Sequence, residues 1–565
     1  MKTVRVLCVL CGLVLAASAL DREAFTFAKY DLNVRVEPEQ QRLGVRGRIT
    51  LRNDSAALQK HAVLQISSSL SWRSIQADGK PLEFVTQPYV SDIDHTGSLS
   101  EAIVTLPQAV PAKGTVELDI GYEGTIPLDA TRLTRIGVPE ETARHTDWDQ
   151  IGKSFTAVRG VGYVAWYPVA MESANLSEGD SVFEALGRWK AREAGSVTDL
   201  NMCVNHADET DPAVIANGRR VGEDSLTSCI HYAFEAGGNL NPTFAIAQYT
   251  LLVRQNAEIA YLPEHRSAAE DYALALDLVT PFVSEWFGAP RERTRVVELA
   301  DPQAAPFEGS NMLFAPLNAR TDVRLAQLTA VHQVTHAAFS SPRLWIYEGL
   351  AHFSQAAYRE QQDGRRAALD FMEAHRTAVV EAERTLAADK KDSAGRSLVS
   401  ASVEEFYRSK AMYVWWMLRD MVGEEALKRA LTAYHADQDK EPSYVQRLVE
   451  AQSKRDLEWF FDDWVYRDRG LPDFRVESAY PRQILGGGYM VTVTVANLGD
   501  AGAEVPVTLR FAGGEVSKRL EVHGKAKGVI RMEVPAAPQE VVVNDGSVPE
   551  NDMGNNSFKI EGRQN

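Results

Sequence analysis

Cysteine is scarce in this chain. Four occur in 565 residues, and two of them, Cys8 and Cys11, fall in the first dozen. Only Cys203 and Cys229 remain beyond these; they leave room for one disulfide and, on their spacing, for no cysteine-ligated metal site. Long apolar runs are missing as well. Nothing after the first twenty residues approaches the roughly 18 unbroken apolar residues that a membrane-spanning helix needs, so no transmembrane anchor is expected. Positive charge is the minority sign, with 60 Lys and Arg against 77 Asp and Glu and a net charge of −17. An acidic surface argues against a nucleic-acid or anionic-membrane partner. Low-complexity tails and fixed-period repeats are absent too.

What is there is an ordinary globular composition, 45% hydrophobic and 24% charged. The length exceeds what one hydrophobic core usually serves, so two to four domains are expected. Residues 1–19 read as a signal peptide. Lys2 and Arg5 precede the apolar run Val6–Ala16, and Ala17-Ser18-Ala19 is a small-residue cleavage site. Cys8 and Cys11 belong to that apolar run. The mature chain is expected to start near Leu20, exported to a periplasmic or extracellular compartment. Such a compartment favours a Cys203–Cys229 disulfide, the alternative being two buried thiols.

Three zones follow. Residues 20–252 read as an N-terminal β domain, because segments such as Tyr30–Val36, Leu43–Leu51 and Val116–Tyr122 alternate apolar and polar residues between turn signals. Residues 253–470 switch to helical spacing. The expected elements are helices over 267–286, 323–339, 344–361, 365–387, 403–421 and 457–466, with a short strand over 295–299. Residues 471–565 return to short strands and suggest a small β-sandwich of immunoglobulin type. The polar tract Pro549–Asn556 reads as a turn rather than a calcium loop, since hard-cation loops need a denser ligand pattern. The fold class is thus α+β and multi-domain.

The chemistry concentrates in Val331-His332-Gln333-Val334-Thr335-His336. Two histidines four apart on a helix point the same way, about one turn apart, within reach of one metal ion. A histidine pair alone is a weak signal; its surroundings strengthen it. Leu325, Leu328, Val331 and Ala338 give the helix an apolar side. Ser340-Ser341-Pro342 permits a reversal, and a second helix then carries Glu348 in its first turns. A carboxylate returned by a helix hairpin completes a His332, His336, Glu348 triad, the three-ligand pattern of catalytic Zn2+. His352, one turn further on, reads as a packed histidine, with support of the metal site as the alternative.

Taken together, these segments resemble the M1-type aminopeptidases, gluzincin peptidases whose zinc core is His-Glu-x-x-His followed later by Asn-Glu-Gly. Tyr347-Glu348-Gly349 is similar to that second element. Tyr30–Asn53 resembles the first strands of the family's saddle-shaped antiparallel β domain, and Trp166-Tyr167-Pro168 its Trp-Phe-Pro turn. Lys410–Val414 with Met417–Asp420, and Leu457–Trp464, resemble later family helices. The resemblance implies a thermolysin-like, mainly helical catalytic domain, one zinc ion, and peptides or peptide N-termini as partners. It also implies departures. Gln333 stands at the general-base glutamate, so the amide can orient a metal-bound water without taking its proton. Phe307–Met312 stands at the Gly-x-Met-Glu-Asn motif, with Glu308 the residue to anchor a substrate amino terminus, the alternative being an ordinary loop acid. Tyr407 stands near the oxyanion-stabilising tyrosine of a Tyr-x-Lys-Gly pattern, one residue out of register, with a core tyrosine as the alternative. The functional expectations are a zinc aminopeptidase with impaired or unconventional catalysis, a zinc-containing pseudopeptidase that binds peptides or protein partners without turnover, and, third, a structural surface protein.

Overall fold

Alternation in the first strand sets the layering of the N-terminal half. Tyr30, Leu32, Val34 and Val36 are buried, while Asp31, Asn33 and Arg35 between them are exposed. A computed structural model describes residues 20–178, 181–205, 212–224, 229–234, 241–309, 311–317, 323–388, 397–401 and 403–560. Segment 1–19, expected to be a signal peptide, lies outside the described residues. Phe25–Glu37 pairs antiparallel with Arg42–Asn53, and that strand with Thr115–Thr125, in an eight-stranded sheet. Smaller sheets of three and four strands complete the unit.

This sheet is not wholly antiparallel, as the sequence led us to expect. Val197–Val204 lies parallel to Phe25–Glu37, from Lys29 beside Val197 to Val36 beside Val204. Parallel neighbours need a crossover connection, and more than 150 residues of chain supply it. Part of that crossover is a helix over Ser181–Glu193 in a zone that read as β. Its last residue, Glu193, is buried and accepts the Phe27 backbone N–H at 2.9 Å. Trp166 and Tyr167 are buried too, with Tyr30 donating to the Pro168 carbonyl at 2.8 Å. Cys203 and Cys229, opposite each other on paired strands, form a disulfide.

The expected boundary at 252/253 falls inside a strand. Thr250–Val253 pairs with Ala257–Tyr261 and so belongs to the following five-stranded sheet, whose order continues through Thr294–Glu298 and Met312–Ala315 to the edge strand Phe307–Gly309. The helices Arg266–Phe287 and Val323–Ala338 pack on this sheet, and Leu344–Asp363, Arg365–Ala388 and Ala411–Val422 pack behind them on helices. Two further helices, Glu424–Thr432 and Tyr444–Ser453, had no counterpart in the sequence reading. The expected helix over 403–421 divides into a π-turn, Glu405–Lys410, and the helix after it.

The last zone forms two sheets of three and four strands, with Val491, Val493, Val505, Val507, Leu509 and Val541 buried. Their apolar residues continue the helical core without a break. Trp464 donates to the Gly502 carbonyl across this junction at 2.7 Å. In the tract 549–556, Glu550 is fully buried and accepts from Asn544, Asn556 and the Phe474 backbone N–H, so its carboxylate ties strands together. Among the described residues no helix is long and apolar enough to cross a membrane.

Candidate active site

The histidine helix, Val323–Ala338, buries Ala330, Val331, Val334, Ala337 and Ala338 against its neighbours. Leu325, expected on this apolar side, is instead 59% exposed, because the first turns run past the core. The chain then reverses. Ser341 Oγ accepts the Arg343 N–H at 3.1 Å and lies 2.8 Å from the Tyr434 hydroxyl, while Arg343 pairs with Asp439. The glutamate helix, Leu344–Asp363, follows. Gly349 sets its depth: a Cβ there would stand 2.6 Å from the Ala411 Cβ and 3.2 Å from Trp415. Only glycine lets these two helices approach so closely beside Glu348.

The hairpin brings three ligand atoms together. His332 Nε2 and His336 Nε2 lie 3.0 Å apart, and each is 3.9 Å from a Glu348 carboxylate oxygen. All fall within 4.8 Å of one another. Ligands about 2.0–2.2 Å from a tetrahedral zinc stand roughly 3.3 Å apart, so the donor set and its spacing fit a single such ion. Burial, then the neighbouring His332, pushes His336 down to about 3; it is neutral at physiological pH, the form that ligates. Burial disfavours a charged Glu348, yet the Arg408 guanidinium holds its carboxyl well below the usual range. His336 also stacks on Tyr347, with ring centroids 4.0 Å apart. Both amide atoms of Gln333 and Nδ1 of His336 are buried without a hydrogen-bond partner among the described residues. Buried polar groups are nearly always satisfied; His336 Nδ1 lies on the side of the ring away from Nε2, the atom turned to the other two ligands.

Arg408 is the residue that sequence reasoning missed. Its Nε donates to Glu348 at 3.1 Å and its Nη1 to Glu404 at 3.3 Å. One signal could have found it. Aligning Lys410 with the lysine of the Tyr-x-Lys-Gly pattern puts Arg408, not Tyr407, at the tyrosine's place. Tyr407 sits beside it in the π-turn, 2% exposed, its hydroxyl donating to Glu404 at 3.1 Å. Burial pushes its phenol far up. Glu308, on the edge strand, places a carboxylate oxygen 3.6 Å from His332 Nε2 and is 41% exposed at the side chain. His352 packs against His332 and His375 and is within 3.0 Å of Gln355; burial, then His332, holds it well below the usual histidine value.

These groups open onto a cavity of about 480 Å³. Its lining includes His332, His336, Glu348, Tyr407, Arg408 and Glu308. The N-terminal half contributes Val182, Leu186 and Lys190 of the Ser181–Glu193 helix to the same lining.

No family model matches this chain, and no curated protein matches its sequence. Its fold, however, has a counterpart among solved structures. It resembles the aminopeptidase A of Legionella pneumophila, solved in complex with aspartic acid, with a TM-score of 0.56 at 13% sequence identity. The match covers 93% of this chain and 59% of that one, so the chain spans about three-fifths of its neighbour's length. The shared architecture is a multi-domain α+β fold.

Proposed function

We propose that this chain is an M1-like, gluzincin-type metallopeptidase framework acting on peptide N-termini, with one Zn2+ held by His332, His336 and Glu348. The observation that carries the reading is the position of the triad: three spatially clustered ligands in the lining of a peptide-sized cavity, on a fold like that of an aminopeptidase. A bound zinc supplies Lewis acidity and a water of lowered pKa. Glu308, at the cavity's edge, is suited to hold a substrate ammonium group. The Tyr407 hydroxyl and the Arg408 guanidinium line the same cavity and would be the donors to negative charge developing on a scissile carbonyl. Gln333 can orient a water through its amide but cannot accept a proton, which typically costs about 10² to 10⁴ in rate. The three units expected from sequence serve this reading as a β domain, a catalytic domain and a C-terminal sandwich. The leader segment 1–19 supports export.

A second reading, a zinc-containing pseudopeptidase that binds peptides without turnover, is favoured by Gln333 and by the engagement of Arg408 with Glu348. One experiment separates the two. Hydrolysis of aminoacyl fluorogenic amides is measured for zinc-verified protein, for Gln333→Glu, and for His336→Ala as the metal-free control. We expect little turnover in the natural protein and a gain of at least about tenfold in Gln333→Glu. Fast turnover that Gln333→Glu does not improve would place the base elsewhere. Silence from both, with zinc bound, would favour the binding role.

A further inference from the structure

The cavity's lining carries a cation that the proposed chemistry does not use. Val182, Leu186 and Lys190 are four residues apart on the Ser181–Glu193 helix, so they form one face of it. All three line the cavity. Lys190 is half-buried there and makes no hydrogen bond or ion pair with any described residue. The carboxylates whose charge it feels, Glu404 and Glu348, stand beyond salt-bridge distance and are already engaged. Glu404 takes hydrogen bonds from Tyr407 and Arg408, and Glu348 from Arg408. Burial, then the positive Arg408, pushes the Lys190 ammonium below its ordinary value. The nearby Arg132, which also lines the cavity, is not comparable. Its guanidinium is saturated by Asp147 and by the carbonyls of Asp92 and Gly162. Lys190 is therefore a half-desolvated cation lining the same cavity as the triad, with no hydrogen-bonded or ion-paired carboxylate among the described residues. Such a group is costly unless it is paired, and a ligand anion entering the cavity would pair it.

We infer that Lys190 forms a carboxylate-binding subsite, and that the peptides this cavity takes carry a carboxylate at Lys190, with Val182 and Leu186 packing on the apolar part beside it. The inference rests on the peptide reading above. The carboxylate can come from an acidic side chain or from the C-terminus of a short peptide.

Binding is read by calorimetry on the zinc-loaded full chain with three probes: L-leucyl-L-alanine amide, which has no carboxylate; L-leucyl-L-alanine, which has one at its C-terminus; and L-aspartyl-L-alanine amide, which has one on a side chain. We expect at least one carboxylate peptide to bind about tenfold or more tightly than the neutral amide, as a partly buried charge pair allows. Whichever does so identifies the source. Lys190→Met should remove that preference while the neutral amide stays within about twofold, and Lys190→Arg should retain it. Thermal unfolding of both variants controls for folding. Equal affinity for all three probes, or a preference that survives Lys190→Met, overturns the subsite and leaves the peptide reading standing. If zinc binds and none of the three peptides does, the peptide reading fails and the subsite falls with it.

Discussion

Lys410 offers a direct test of how the π-turn beneath the site is held. Its side chain is completely buried and donates to both Glu383 and Asp468. Burial alone would depress its ammonium, but the two carboxylates outweigh that and hold it above the ordinary lysine value. Lys410→Met would leave two buried carboxylates with no cation between them. Breaking a buried pair in this way costs about 3–5 kcal/mol, a large share of the roughly 5–15 kcal/mol that holds a folded domain. The assay is urea unfolding of Lys410→Met beside a triple variant, Lys410→Met, Glu383→Gln, Asp468→Asn. Much of the cost is uncompensated charge, so the triple variant should recover at least about half of the loss. A single-variant cost below about 1 kcal/mol, or a triple variant no more stable than the single one, would refute the reasoning. Because Lys410 closes the turn that carries Tyr407 and Arg408, zinc affinity measured against a chelator should change in the single variant as well.

Three further outcomes are expected. Gly349→Ala places a methyl 2.6 Å from Ala411; we expect a loss of about 1–3 kcal/mol in urea unfolding, together with weaker zinc binding as Glu348 moves; unchanged stability would contradict the close helix contact. Glu193 and Glu550 are both raised to about 7, chiefly by burial. A carboxyl raised in the folded state binds its proton more readily there, so its stabilising contribution is present below the ordinary value near 4.5 and is lost as pH rises to about 7. Unfolding midpoints should fall between pH 5 and 8, and Glu550→Gln should flatten the slope. Reducing Cys203–Cys229, which closes a loop of sequence separation 26, should cost about 3 kcal/mol, read as a lower urea midpoint with reductant that Cys203→Ser, Cys229→Ser does not show further.

Elements with a strong local period were legible. The histidine helix was expected over 323–339 and spans Val323–Ala338; the glutamate helix was expected over 344–361 and spans Leu344–Asp363. Alternation in the first strands translated directly into a buried and an exposed face. The site was legible to the same depth. His332 and His336 share a face because four residues make about one helical turn, and the short reversal at Ser340–Pro342 leaves the next helix little choice but to return Glu348 beside them. The short helices Glu424–Thr432 and Tyr444–Ser453 escaped, since few turns carry little periodic signal.

Other features depended on contacts between distant segments. Tyr407 and Arg408 are neighbours in sequence, and local pattern favours the tyrosine; the π-turn decides that Arg408 reaches Glu348, 60 residues away, while Tyr407 turns to Glu404. Lys190 sits in a stretch that reads as part of a β zone, yet its helix lines the same cavity as the triad. The parallel partner of the first strand is likewise some 170 residues along the chain. The sequence by itself determined the strongly periodic strands and helices and which three residues can share a metal, because those follow from repeats of two and about four residues along one backbone. Only the tertiary structure decided what lines the cavity with those three residues, because packing of separate elements, not spacing along any one of them, sets that.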